Sequence, residues 1–115
     1  MRLATPCSLV RVLLDENLPL EFAAEIVPFP VATVRGLGWS GVQNGELMRR
    51  AASVCDVFVT MDRNLPYQQH IPALSFGVIV VHAQSNRLVD LRPLVPGLLA
   101  AIPTAAPGTW LRVGV

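Results

Sequence analysis

Four short runs, apolar at nearly every consecutive position, restrict this chain to one kind of architecture. They are residues 10–14 (VRVLL), 31–34 (VATV), 56–61 (DVFVTM) and 77–82 (GVIVVH). Each is short and rich in β-branched residues, which reads as a strand. A strand that is apolar on successive positions has two apolar faces, and both must be covered; that is the condition of a strand inside a parallel sheet.

The intervals between the runs carry helical spacing. Leu18, Phe22 and Ile26 recur every fourth residue, with Asn17 as a cap, Pro19 in the first turn, and Pro28 and Pro30 as the stop. Residues 35–43 (RGLGWSGVQ) form a glycine-punctuated loop. Asn44 then caps a second helix with Glu46 in its first turn and Leu47, Met48, Ala51 and Ala52 on its apolar face. Residues 62–72 are a loop with one irregular turn. Asp90 caps a last helix reaching about Ile102, which buries Leu91, Leu94, Val95, Leu98, Leu99 and Ile102; Pro93 fits its first turn and Pro96 kinks it. Residues 109–115 (TWLRVGV) are open to two readings, an edge strand or an unpaired tail. The order β-α-β-α-β-β-α predicts a small α/β three-layer sandwich around a mostly parallel sheet.

The 115 residues suffice for one core and not two, so residues 9–115 read as a single domain. Residues 1–8 (MRLATPCS) read as a poorly ordered leader without the apolar stretch of a signal peptide. With 52% hydrophobic and 15% charged residues the chain is not intrinsically disordered. No apolar run approaches the length of a membrane-spanning helix, so no membrane partner is expected. The apolar content does leave surface on which a homodimer can form. The formal charge is +1, which names no partner, and all nine cations are arginines. Cys7 and Cys55 make no disulfide framework, and a reduced cytoplasm is the expected compartment. His70 and His82 stand alone, which excludes a structural zinc domain.

Sites in parallel sheets form beyond the carboxyl ends of the strands. There the chain places Asp15 and Glu16 after the first strand and Asp62, Arg63 and Asn64 after the third; Glu46 begins the helix leading into the third. These four acids are half of the eight in the chain. Carboxylates gathered at one edge repel, and oxygen ligands without histidine or thiolate suit Mg2+ or Mn2+. Such an ion binds phosphate and activates water for phosphodiester cleavage. Each residue also has a plainer role. Asp15 can simply end a strand, Glu46 can serve the helix dipole, and Asp62-Arg63-Asn64 is an ordinary turn. Arg63 is either a phosphate clamp or the internal partner of these acids. Tyr67, Gln68 and Gln69 either stack on and bond an exposed base or form a solvated loop. Trp39 is read as a lid over the core before a stacking group, and Arg49 and Arg50 as solvated before backbone-tracking.

The segments LLDENLP, WSGVQNGEL, VFVTMDRNLPYQQ and SNRLVDLRPLVPGLLAAI, in this order from about Val12 to Ile102, resemble a bacterial family. It is the PIN-like group of unknown function classed with toxin–antitoxin ribonucleases, and TMDRNLPYQQ is the most specific piece. The resemblance implies a PIN-like fold and Mg2+- or Mn2+-dependent endoribonuclease chemistry, often as a toxin with a small antitoxin partner. Carried onto this chain, Asp15, Glu46 and Asp62 take the acidic, metal-holding positions. Asn44, Arg63, Asn64, Gln68, Gln69, Asn86 and Arg87 take the other polar motif positions. Where the family usually has a fourth acid, this chain has His82-Ala83-Gln84.

Two other classes compete. A catalytically inactive PIN-like binding or scaffold protein would keep the fold and use the edge to hold a partner. A receiver-like phosphoacceptor domain has acids at similar positions, but it also needs a lysine, which this chain lacks, and a full helix between Asp62 and the next strand.

Overall fold

The computed structural model describes residues 10–114, so the expected leader lies outside the described residues. The four apolar runs are strands: β1 (Val12–Leu14), β2 (Val31–Thr33), β3 (Val57–Thr60) and β4 (Gly77–His82). A fifth, β5 (Trp110–Gly114), decides between the two readings of the last residues in favour of an edge strand. The sheet runs β2-β1-β3-β4-β5 and every pairing is parallel, so the sheet expected to be mostly parallel is entirely so. β1 is central to the register, with Leu13 opposite Ala32 on one side and Phe58 on the other.

Alternation within the strands divides the core. Val12, Leu14, Val57, Val59, Ile79, Val81 and Val113 face one layer, where Leu18, Phe22, Ile26, Leu91, Leu98 and Ile102 cover them. Leu13, Phe58, Val78 and Val80 face the other, beneath Leu47, Met48, Ala51, Leu65, Ile71 and Phe76. Both faces of the sheet are thus buried, the three-layer sandwich expected from the continuous apolar runs.

The connecting helices differ from expectation in detail. The first is a 3-10 helix over Leu20–Glu25, preceded by Pro19 rather than capped by Asn17. Asn17 has turned instead to the strand ends, and nothing caps the segment; its bonds close over three residues, as in Phe22 N–H to the Pro19 carbonyl. The second helix, α1 (Asn44–Ala51), buries Leu47, Met48 and Ala51 as expected, but the cap position falls on Gln43, without a side-chain bond. The Asp62 loop contains α2 (Leu65–Gln68) and a 3-10 turn over Ile71–Ala73. The last helix is divided into α3 (Leu88–Leu91), a 3-10 turn over Arg92–Leu94 and α4 (Val95–Ala101). Pro93 and Pro96 each lack the N–H that a continuous ladder needs. Asp90 does not cap this segment: it lies within α3, where its carboxylate accepts from the Ser85 hydroxyl at 2.6 Å.

The crossovers also have a consequence for exposure. The first connection and the α3–α4 connection lie on the same face, yet they step across the sheet in opposite directions. The connections through α1 and α2 lie on the other face. The β4-to-β5 crossover therefore has the opposite hand to the other three, against the strong preference for a single hand. It keeps α3 and α4 off the α1–α2 side of β5, where Trp110 and Arg112 are exposed. Among the described residues no helix is long and apolar enough to cross a membrane.

Candidate functional site

The strand order reverses direction between β1 and β3, and a crevice at their carboxyl ends follows from that reversal. Asp15 extends β1 by one residue, donating its N–H to the Val59 carbonyl at 2.9 Å. Asp62 follows β3 by two residues. Both aspartates bond the same threonine, Asp15 through its carboxylate and Asp62 through its backbone N–H. Thr60, fully buried, donates its hydroxyl to Asp15 Oδ2 at 2.7 Å and accepts the Asp62 N–H at 3.0 Å.

Asn17 completes the knot. Its Nδ2 donates to Thr60 Oγ1 at 3.2 Å and to Asp15 Oδ2 at 3.4 Å, while its Oδ1 accepts the Met61 N–H at 3.2 Å. Asp15 Oδ1 accepts the Glu16 N–H at 2.8 Å. All these donors are neutral. Asp15 is only 7% exposed, and burial pushes its carboxyl above the ordinary range; the Thr60 and Glu16 bonds oppose that shift, while the nearby Glu16 and Asp62 charges add to it. Among the described residues no ion pair involves Asp15, Glu16 or Asp62.

Asp62 is held from two directions. Oδ1 accepts the Asn64 N–H at 3.0 Å, and Oδ2 accepts from Asn44 Nδ2 at 3.3 Å. Asn44, expected as a cap, is thus the link between α1 and the β3 end. Asn86 joins from the loop after β4, donating to the Asn17 carbonyl at 3.3 Å.

Not all the expected residues converge. The Glu46 carboxylate is taken by Arg49 and by Arg50, the latter at 3.0 Å, and the Arg50 bond foremost holds its carboxyl below the ordinary range. That is the i,i+3 and i,i+4 pairing open to any exposed helix. Among the described residues no group of three His, Cys, Asp or Glu side chains is placed to hold a metal ion, so the expected triad of Asp15, Glu46 and Asp62 is not assembled. Glu16 turns aside as well, accepting the Gly41 N–H at 3.1 Å, while Arg35 donates to its carbonyl. Arg63 is exposed and among the described residues reaches only the Ala83 carbonyl, at the outer limit of 3.5 Å. Asn64, Gln68 and Arg87 are exposed, and Gln69 lines an open cleft of about 440 Å3 beside Met48 and Phe76. Tyr67 meets Trp110 edge to face. Trp39 packs on the core with the Arg50 guanidinium 5.6 Å from its ring centre, the lid role expected for it.

Asn17 and Thr60 are the site residues that sequence reasoning missed. Thr60 is the one polar side chain of VFVT, at its carboxyl end, and that break in an apolar strand was the available signal.

A divalent cation fits what the two aspartates offer. Mg2+ keeps much of its water and is commonly held by one or two carboxylates together with substrate phosphate. Two carboxylates on facing strand ends, one desolvated and both without a cationic partner among the described residues, are such a donor set. Comparison with protein-family models, with curated proteins and with solved structures found no match.

Proposed function

We propose that this protein is a Mg2+- or Mn2+-dependent endoribonuclease whose ion is held by Asp15 and Asp62. The observation that supports this most is Asp15 itself, a nearly buried carboxylate that feels the Asp62 charge and is solvated by neutral donors alone. Such a pair costs stability unless protonated or bound to a cation. When bound, the ion supplies charge against the phosphate oxygens and activates water.

The chain's own groups do the positioning. Thr60 and Asn17 hold Asp15 in one orientation, and Asn44 and the Asn64 N–H do the same for Asp62. Arg63, exposed and lightly held, closes on a non-bridging phosphate oxygen, the clamp role that guanidinium geometry favours. Asn64 and Asn86 bond the sugar-phosphate backbone from either side of the crevice. In this reading Glu46 stays with Arg49 and Arg50 and serves α1, and the ion is held by two acids rather than three. A toxin role with an antitoxin partner is the wider proposal that the family resemblance supports.

The test pairs metal binding with cleavage. Mn2+ should raise the melting temperature of the wild type, and a labelled single-stranded RNA should be cut only when the ion is present. Asp62→Asn should remain folded and lose both responses. A wild type indifferent to Mn2+ would leave a scaffold that binds without catalysis. A phosphoacceptor reading has the strand order and the β1–β3 acid pair in its favour. The absence of lysine and the four-residue α2 between β3 and β4 oppose it, and a mass increase on incubation with acetyl phosphate would restore it.

A further inference from the structure

We infer that Tyr67, Trp110 and Arg112 form a stacking platform for the unpaired stretch of RNA flanking the cut phosphate, an inference that rests on the RNA half of the reading above. Tyr67 is 78% exposed and Trp110 38%, and their rings stand 6.0 Å apart at 73°. Two large aromatic side chains on a surface expose apolar area that a core would bury. The β4-to-β5 crossover takes the opposite face of the sheet, so α3 and α4 do not cover Trp110, and its neighbour on this side is Tyr67 of α2. Arg112 stands two residues beyond Trp110 on the same side of the strand, exposed and in no ion pair among the described residues.

The charge of the surrounding chain points to a polyanion. Apart from Asp90, no aspartate or glutamate follows Asp62, so α2, the 69–76 loop and β5 contribute His70 and Arg112 with no acidic side chain, and Arg63 stands just before α2. α2 also ties the platform to the crevice: Asp62 accepts the N–H of Asn64 just before the helix, and Tyr67 comes one turn later. Rings set at a steep angle cannot both lie on one flat ligand. They suit two successive bases splayed from a single strand, each with its own face, while the arginine meets the phosphate between them. Trp, Tyr and Arg also anchor protein interfaces, but a cation in no ion pair among the described residues favours the nucleic acid.

The experiment is fluorescence anisotropy of a labelled oligouridylate of about ten nucleotides, within the range such sites span, in EDTA so that nothing is cut. Tyr67→Ala and Trp110→Ala should each weaken binding about tenfold, and Trp110→Phe should retain it. Arg112→Gln should lower the slope of log affinity against log salt by about 0.7, one phosphate's worth on a single strand. All four variants should keep the Mn2+ melting shift, which shows them folded. Unchanged binding in both Tyr67→Ala and Trp110→Ala overturns the platform while leaving the nuclease reading intact. So does a Trp110→Ala variant that turns a dimer into a monomer yet binds the oligouridylate as before. Binding that depends on the platform in a protein that cuts no RNA supports the platform and refutes the nuclease.

Discussion

Thr60 shows how one hydroxyl can serve a site that needs two acids. It donates to Asp15 and accepts from the Asp62 backbone, so it sets the orientation of one carboxylate and the path of the other. Thr60→Val keeps the shape of the side chain and leaves Asp15 Oδ2 and the Asp62 N–H short of a partner. The expected cost is about 1–3 kcal/mol in urea unfolding, with weaker Mn2+ binding. Asp15 makes its own prediction about pH. Its carboxyl lies above the unfolded value, chiefly through burial, so the folded state binds more protons than the unfolded one between the two values. Without metal, the Asp15 contribution to stability should therefore fall as pH rises from about 3.9 through the raised value. Saturating Mn2+ should reverse that trend, because the ion requires the charged form. Asp15→Asn should abolish both trends, as urea midpoints measured across pH with and without Mn2+ would show.

Among the elements, α1 illustrates competition between a local and a distant partner. Glu46 begins in the turn nearest the crevice, but Arg49 and Arg50 lie three and four residues on and need no tertiary structure to find it. Asn44, two residues earlier, has no such partner among the contacts of its own helix and reaches Asp62 instead. Glu46→Gln should therefore retain the Mn2+ melting shift that Asp15→Asn and Asp62→Asn lose; a shift lost in Glu46→Gln would restore Glu46 to the ligands. β5 illustrates a different dependence. Its Gly114, at φ 105° against the His82 carbonyl, accepts a backbone geometry that side chains resist, which lets the edge strand close onto the end of β4.

For the whole molecule the question is how strongly an ion would stabilise it. A ligand that binds only the folded state, present at one hundred times its dissociation constant, contributes about 2.7 kcal/mol. For a chain of this size that corresponds to a melting shift of roughly 10 °C, large enough that its absence in wild type would be decisive. The strand order brings Asp15 and Asp62 together, and the face taken by the last crossover leaves Trp110 open. Site and platform are two results of one topology.

The α/β class, the parallel sheet and the placing of Asp15 and Asp62 beyond strand ends were all legible from residue order. The reason is local: consecutive apolar residues in runs this short are stable only when buried on both faces, and chain direction puts the next residue at the carboxyl edge. Which polar groups meet there was not legible. Asn17 read as a cap and became the link between β1 and β3, Glu46 read as a ligand and found its arginines, and Trp110 read as part of a strand or a tail and met Tyr67. Those outcomes depend on strand order, on the side each crossover takes and on which partner lies nearer, and residues far apart in the chain carry no local signal of any of them.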